Sequence, residues 1–217
     1  IKEKFTYIYN KNKWKSNLSR SGTGSTPEQT KELIKLLPYL FQDLEIKSIV
    51  DCPCGDFSWM RKIDLKEIEY VGYDIVKGII ENNKRLYLSH NISFNVLDVT
   101  EKSFKKKDLV FVRDLFVHFS YKDIFKALSN IKKSNSDLLL TTNFPEIKSN
   151  YDIATGQWRG INLLMPPFNF PDPIRIIYES NTEYSQKEFQ SKNYPNASKS
   201  LEEFADNYLI KVMFWNW

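Results

Sequence analysis

The chain has 217 residues, 41% hydrophobic and 27% charged, and its 31 basic and 27 acidic residues leave a net charge of +4. That length fits one sizeable core rather than two full domains. The charge is too mild to argue for a nucleic-acid partner, and the basic residues cluster only briefly, as at Lys105–Lys107, which reads as a solvated loop.

No apolar run approaches the roughly 18 residues that span a bilayer, and no signal peptide is visible. The first residue is Ile1, so further residues can precede it. Cys52 and Cys54 are the only cysteines and stand one residue apart. That spacing makes a poor zinc site, no His/Cys cluster completes four ligands, and no metal is expected. Two small buried thiols beside a turn fit a reducing, cytoplasmic setting.

Residues 1–25 are polar, aromatic and expected to be irregular, with Ser21–Ser25 a flexible loop. Thr26 then caps a helix, Pro27 suits its first position and Gln29 completes a capping box. Ile34, Leu37, Phe41 and Leu44 give that helix one apolar face, and Pro38 is expected to kink or split it.

Strands expected at 47–51, 70–74, 92–97, 108–113 and 137–142 alternate with helices at about 57–63, 76–88 and 121–133. Ser120 caps the last of these, with Asp123 in its first turn. Leu109–Val112 and Leu138–Leu140 are continuously apolar, as strands buried on both faces of a parallel sheet are. The alternation predicts an α/β, doubly wound fold.

Residues 144–173 hold Pro145, Pro166, Pro167, Pro171 and Pro173 among Trp, Phe, Leu and Met. They read as a long ordered insertion, and such loops are usually functional. Ile174–Tyr178 and Tyr208–Trp217 read as two further strands.

The chemistry concentrates in Ile49–Trp59: a buried strand ending in Asp51, a tight turn through Gly55, and the expected start of a helix. Doubly wound domains present a nucleotide-like ligand at this point. A second strand ends in Asp74, roughly 20 residues further on, where a carboxylate suits the two hydroxyls of a ribose. The pair does not by itself say which nucleotide is bound.

These residues resemble the class I S-adenosylmethionine (SAM)-dependent methyltransferases. Asp51 and Gly55 match the first motif of that family, while Pro53 and Phe57 stand where two of its glycines usually do. Asp74, Leu97–Val99 and Arg113–Asp114 follow in the family's order. A narrower group of small bacterial and viral methyltransferases is similar at 21–25, 54–60, 113–118, 155–159 and 166–171. That group is associated with surface polysaccharide synthesis, including methylation of capsular phosphoramidate groups.

The resemblance implies one methyltransferase domain over 1–217. Its parts are an N-terminal lid and helix (1–45), a cofactor-binding core (46–143), a substrate-side insertion (144–173) and the last strands of a seven-stranded, mostly parallel sheet (174–217). SAM is the implied cofactor and S-adenosylhomocysteine (SAH) the product. Asp51, Pro53, Gly55, Asp74, Ile75, Asp98, Val99 and Arg113 would hold it, with Ser25 and Gln29 closing from the lid. His118 would take a proton from a substrate hydroxyl beside Asp114; the alternative is a packed histidine bonded to backbone. Trp158, Arg159 and Phe168 would meet the acceptor, a small molecule or a phosphate-bearing sugar; the alternative for Arg159 is a core ion pair that pins the loop.

Two other readings stand beside this one. A nicotinamide-dependent oxidoreductase would want more glycines than Asp51–Asp56 supplies. A non-catalytic partner would keep the fold without the reaction. RNA is a poorer acceptor for so weakly basic a chain, and a monomer or homodimer is expected.

Overall fold

A computed structural model of the chain describes residues 1–16, 19–177, 179 and 212–216, the last of these as backbone only. Its elements run α1 (Lys2–Asn10), α2 (Pro27–Asp43), β1 (Ser48–Asp51), β2 (Glu69–Asp74), α3 (Lys77–Tyr87), β3 (Ile92–Val96), β4 (Leu109–Val112), α4 (Tyr121–Lys133), β5 (Leu138–Thr142), β6 (Arg175–Ile177) and β7 (Val212–Asn216). The sheet order is β3-β2-β1-β4-β5-β7-β6. β1 to β5 are mutually parallel, and β7 runs antiparallel to both β5 and β6. Residues 178, 208–211 and 217 of the two late strands expected from sequence lie outside the described residues.

Alternation along the central strands builds two cores. Val50, Val110, Val112 and Leu139 face one side with α4 and the inward face of α1. Ile49, Leu109, Phe111 and Leu140 face the other with α2. A continuously apolar strand is stable only when both of its faces are covered in this way.

Four local expectations change. Residues 2–10 are helical rather than irregular, because Phe5 and Ile8 lie one turn apart and both bury. α2 runs unbroken through Pro38. The Thr26 side chain makes no capping bond; instead its carbonyl accepts the Thr30 hydroxyl at 2.9 Å. The helix expected at 57–63 is replaced by turns and a single 3-10 turn at Met60–Lys62. Phe57 takes a left-handed φ of 57°, which no helix contains, and its ring packs 5.0 Å from Tyr70 and 5.1 Å from Phe94.

Between Phe144 and Pro173 the described backbone is neither helix nor strand. Side-chain amides replace ladder bonds there: Leu163 N donates to Asn143 Oδ1 at 2.6 Å, and Asn150 Nδ2 to the Asn162 carbonyl at 2.8 Å. Ile161 and Leu163 sink into the α4-side core. Among the described residues no helix is long and apolar enough to cross a membrane.

Candidate active site

The carboxyl ends of β1, β2 and β4 open into a cleft. Asp51 and Asp74 end two adjacent strands and both line it. Tyr70 donates its hydroxyl to Asp51 Oδ2 at 2.6 Å. Burial pushes the Asp51 carboxyl up to about 7, against the Tyr70 bond, and pushes Asp74 up to about 6, against backbone bonds led by that from Val76. Asp74 accepts from Val76 N at 2.8 Å and from Gly55 N at 3.2 Å, so this carboxylate fastens the turn after β1 to the end of β2.

Both pKa values rise on folding, so the native state binds the extra protons. The stabilisation this gives is present below about pH 4 and is lost as pH rises through about 6 to 7. The protein alone should therefore show a melting temperature that falls between pH 5 and 7.5 on this account; a rise over that range would contradict the burial of these two acids as neutral groups.

Gly55 has a φ of 54°, and a Cβ there would collide with Ser21 Oγ. That serine accepts from Asp56 N at 2.8 Å, while Ser19 Oγ donates to Asp56 Oδ2 at 2.7 Å. The N-terminal segment is thus laid directly on the Gly55 turn.

Pro53, Ile75, Asp98, Val99 and Ser25 also line the cleft. Val99 is a buried wall. Asp98 Oδ1 accepts from Thr100 N at 2.9 Å and Thr100 Oγ1 at 2.6 Å, so it also shapes its own turn. Gln29 lies elsewhere, in an adjoining pocket.

That second pocket is walled by Trp14, Gln29, Phe144, Trp158 and Glu179. Arg113, Asp114 and His118 line both spaces and form their border. Buried Arg113 donates to Glu179 at 2.6 and 2.9 Å and to the Gly24 carbonyl at 2.9 Å, and it pairs with Asp114 at 3.0 Å. Burial alone would lower its pKa, but Asp114 and Glu179 outweigh that and raise it. Arg113 therefore ties the N-terminal cover and the segment after β6 to the end of β4. Asp114 holds a strained φ of 54°, fixed by Thr142 Oγ1, which accepts from its amide at 2.9 Å. A Cβ on Gly24 would stand 2.9 Å from Asp114 Oδ2, so a side chain there would have to displace that carboxylate.

His118 sits in a 3-10 turn with Nδ1 2.9 Å from the Gln157 carbonyl. A carbonyl only accepts, so Nδ1 carries the hydrogen and Nε2 is left as the basic nitrogen. Burial lowers its pKa, and the ring stands 5.7 Å from Trp14. Cys52 and Cys54 are buried free thiols whose pKa values burial raises, and no metal-binding cluster occurs among the described residues.

Two expectations are corrected. Arg159 is 0% exposed and lines neither space. It donates to the carbonyls of Phe116, Phe119 and Tyr151 at 2.8, 2.9 and 3.0 Å, pinning the insertion through backbone rather than through an acid. Phe168 is in the core, edge-on to Tyr121 at 5.3 Å. Trp158, 60% exposed, does line the second pocket.

Sequence reasoning missed Phe5, Trp14 and Glu179, while Ser21 and Trp59 lay within the N-terminal loop and the 49–59 stretch without being singled out. Phe5 carried a signal, its spacing from Ile8. The others come together only through the fold.

No protein-family model matches the chain, and no curated protein matches its sequence. Solved structures do match. The DhpI–SAH complex superposes with a TM-score of 0.51 over 74% of this chain and 81% of that one, at 12% identity. The plantazolicin methyltransferase BpumL, in complex with a triazolic desmethylPZN analog and SAH, gives 0.49 over 65% and 58%, at 18% identity. Magnesium protoporphyrin IX methyltransferase (ChlM) from Synechocystis PCC 6803 with bound SAH gives 0.45 over 66% and 69%, at 12% identity. The chain covers between 44% and 66% of the length of other structures that it matches. The likeness to the DhpI–SAH complex shows the fold, an α/β Rossmann-like methyltransferase fold with a parallel sheet of five strands.

Proposed function

We propose that the chain is a SAM-dependent methyltransferase, moving the methyl group to an oxygen of a small acceptor held in the second pocket. The observation that carries this reading is the border itself: His118 and Asp114 line the cleft and the adjoining pocket together. The DhpI, BpumL and ChlM structures, all with SAH, support the cofactor.

The residues present fit that cofactor. Asp74 would accept from ribose hydroxyls, Asp51 would face the ammonium, Val99 would cover the adenine, and the absent side chain at Gly55 leaves backbone close to the cleft. A bound sulfonium supplies an already activated methyl group. What remains for the protein is alignment, exclusion of water and handling of one proton. Phe5 and Trp14 cover the site, and His118 Nε2 is positioned chemically to accept a hydroxyl proton.

With Arg159 held by backbone, the case for an anionic group inside the pocket loses its carrier. The second pocket sets Asp114 and Glu179 against Arg113, with Trp14, Trp158 and Phe144 as flat walls. This suits an uncharged, hydroxyl-bearing face such as that of a sugar. A place in capsule or surface polysaccharide synthesis is our finer reading of the acceptor.

Calorimetry with SAH against NAD tests the cofactor class. Asp74→Ala should weaken SAH by about 10- to 150-fold, the loss of about 1.5–3 kcal/mol in charge-assisted bonds. Equal affinity in the folded variant would remove the assignment. Because a bound ammonium favours the ionised carboxylates, SAH should also raise the melting temperature more at pH 8 than at pH 5.5. The same gain at both pH values would place the ammonium elsewhere.

A further inference from the structure

One residue of α3 is not explained by the helix that holds it. Asn83 lies in the helix interior, where asparagine is a poor helix former, and it is wholly buried on the face that buries Ile79 and Ile80. Its Nδ2 donates to the Gly55 carbonyl at 2.8 Å and stands 3.9 Å from Cys54 Sγ. A carbonyl only accepts, so the amide nitrogen must face Gly55. The amide oxygen is then left buried with no hydrogen-bond partner among the described residues. An orphaned acceptor weakens a core, and an apolar side chain of similar size avoids it. Core stability alone is therefore no reason for asparagine at this position.

The bond it makes falls where the turn after β1 has most freedom. Gly55, at a φ of 54°, has both of its polar groups held by side chains: its N–H donates to Asp74 Oδ2 at 3.2 Å, and its carbonyl accepts from Asn83. The Cys54 thiol, 3.6 Å from the same carbonyl, is only a weak second donor. The peptide that joins Gly55 to Asp56 is thus held at both ends. Its carbonyl is drawn toward Asn83, which lines neither space, and its N–H meets Ser21 Oγ of the N-terminal cover at 2.8 Å. Beside a glycine such a peptide rotates at little steric cost. Without Asn83, the weak thiol and the cover itself would be left to hold it.

Resting on the proposed methyl transfer, we infer that Asn83 is a positioning residue for the cofactor: reaching from α3, it fixes the Gly55–Asp56 peptide, and with it both the turn that faces SAM and the seat of Ser21. Its side chain lines neither space, so it acts through the turn and touches neither cofactor nor acceptor. Asp74 and Asn83 hold the two sides of Gly55, so the β2–α3 unit that supplies the ribose carboxylate also sets the turn opposite it.

The test compares wild type with Asn83→Leu, which is close in volume and cannot donate. Removing the orphaned oxygen offsets the lost bond, so the melting temperature without ligand should stay within about 3 °C. SAH affinity, by calorimetry, should fall about tenfold or more. The Asp56 amide should exchange with solvent about tenfold faster or more, while the amides of β1 and β2 keep their wild-type rates. A merely structural asparagine would move the strand amides and the melting temperature together with the affinity, and that result would overturn the inference. A second measurement, on wild type alone, decides the matter if the variant does not fold: SAH should slow exchange of the Asn83 side-chain amide protons, because a filled cleft holds the turn against them. Failure of SAH to bind wild type would remove the methyltransferase reading itself. SAH binding with equal affinity in both proteins, an Asp56 amide unchanged in the variant, or Asn83 side-chain protons indifferent to SAH would overturn the positioning role alone.

Discussion

Replacing His118 by Asn should lower turnover by about 10²- to 10⁴-fold, the range in which a positioned general base contributes, and leave SAH affinity nearly unchanged. Two features of the ring support this. The Gln157 carbonyl fixes the proton on Nδ1, and burial holds the pKa below its ordinary value, so the imidazole is neutral with a basic Nε2 near pH 7. Asn can still donate to Gln157, which separates the loss of a base from the loss of the turn. The check is a pH–rate profile of methyl transfer: wild type should rise with pH through the histidine and then level, and the variant should lose that limb. Undiminished activity across the range would leave alignment as the sole catalytic device.

The legible part of this molecule is the part governed by local rules. Strands such as Leu109–Val112 are apolar at every position because both faces of a parallel sheet are covered, and that pattern survives in a single sequence. Asp51 and Asp74 were expected to end two strands and Gly55 to make the turn between them, and the structure places them there because strand-end acids and a positive-φ glycine follow local rules. The illegible part depends on distance along the chain. Glu179 reaches Arg113 across 66 residues, and Ser21 reaches Asp56 across 35. Neither contact leaves a periodic trace. Phe57 misled for a different reason: an aromatic core contact outweighed the helical continuation that the flanking residues suggested.

Arg159→Ala should be among the most destabilising single substitutions available, by about 3–5 kcal/mol, and should leave the proposed cofactor cleft nearly intact. Three backbone carbonyls, of Phe116, Phe119 and Tyr151, accept from this one guanidinium, and each buried acceptor left without a donor costs roughly 1–3 kcal/mol. The side chain is wholly buried, with its guanidinium 5.7 Å from the Tyr121 ring, so its loss also opens a cavity. For a chain of this size the change corresponds to a fall of about 6–20 °C in melting temperature. Lysine cannot hold three divergent carbonyls with one ammonium, so Arg159→Lys should fall between wild type and Ala. The loss should reach His118 as well. Arg159 N donates to the Val117 carbonyl at 3.0 Å, and the guanidinium bonds bracket the turn at 116–118 that carries the histidine. Turnover should therefore drop more than SAH affinity, and only as the melting temperature drops. Thermal unfolding and SAH calorimetry on both variants give the answer. An Arg159→Lys protein that melts with wild type yet loses acceptor turnover would return Arg159 to the acceptor and undo the pinning role drawn from its three carbonyl bonds.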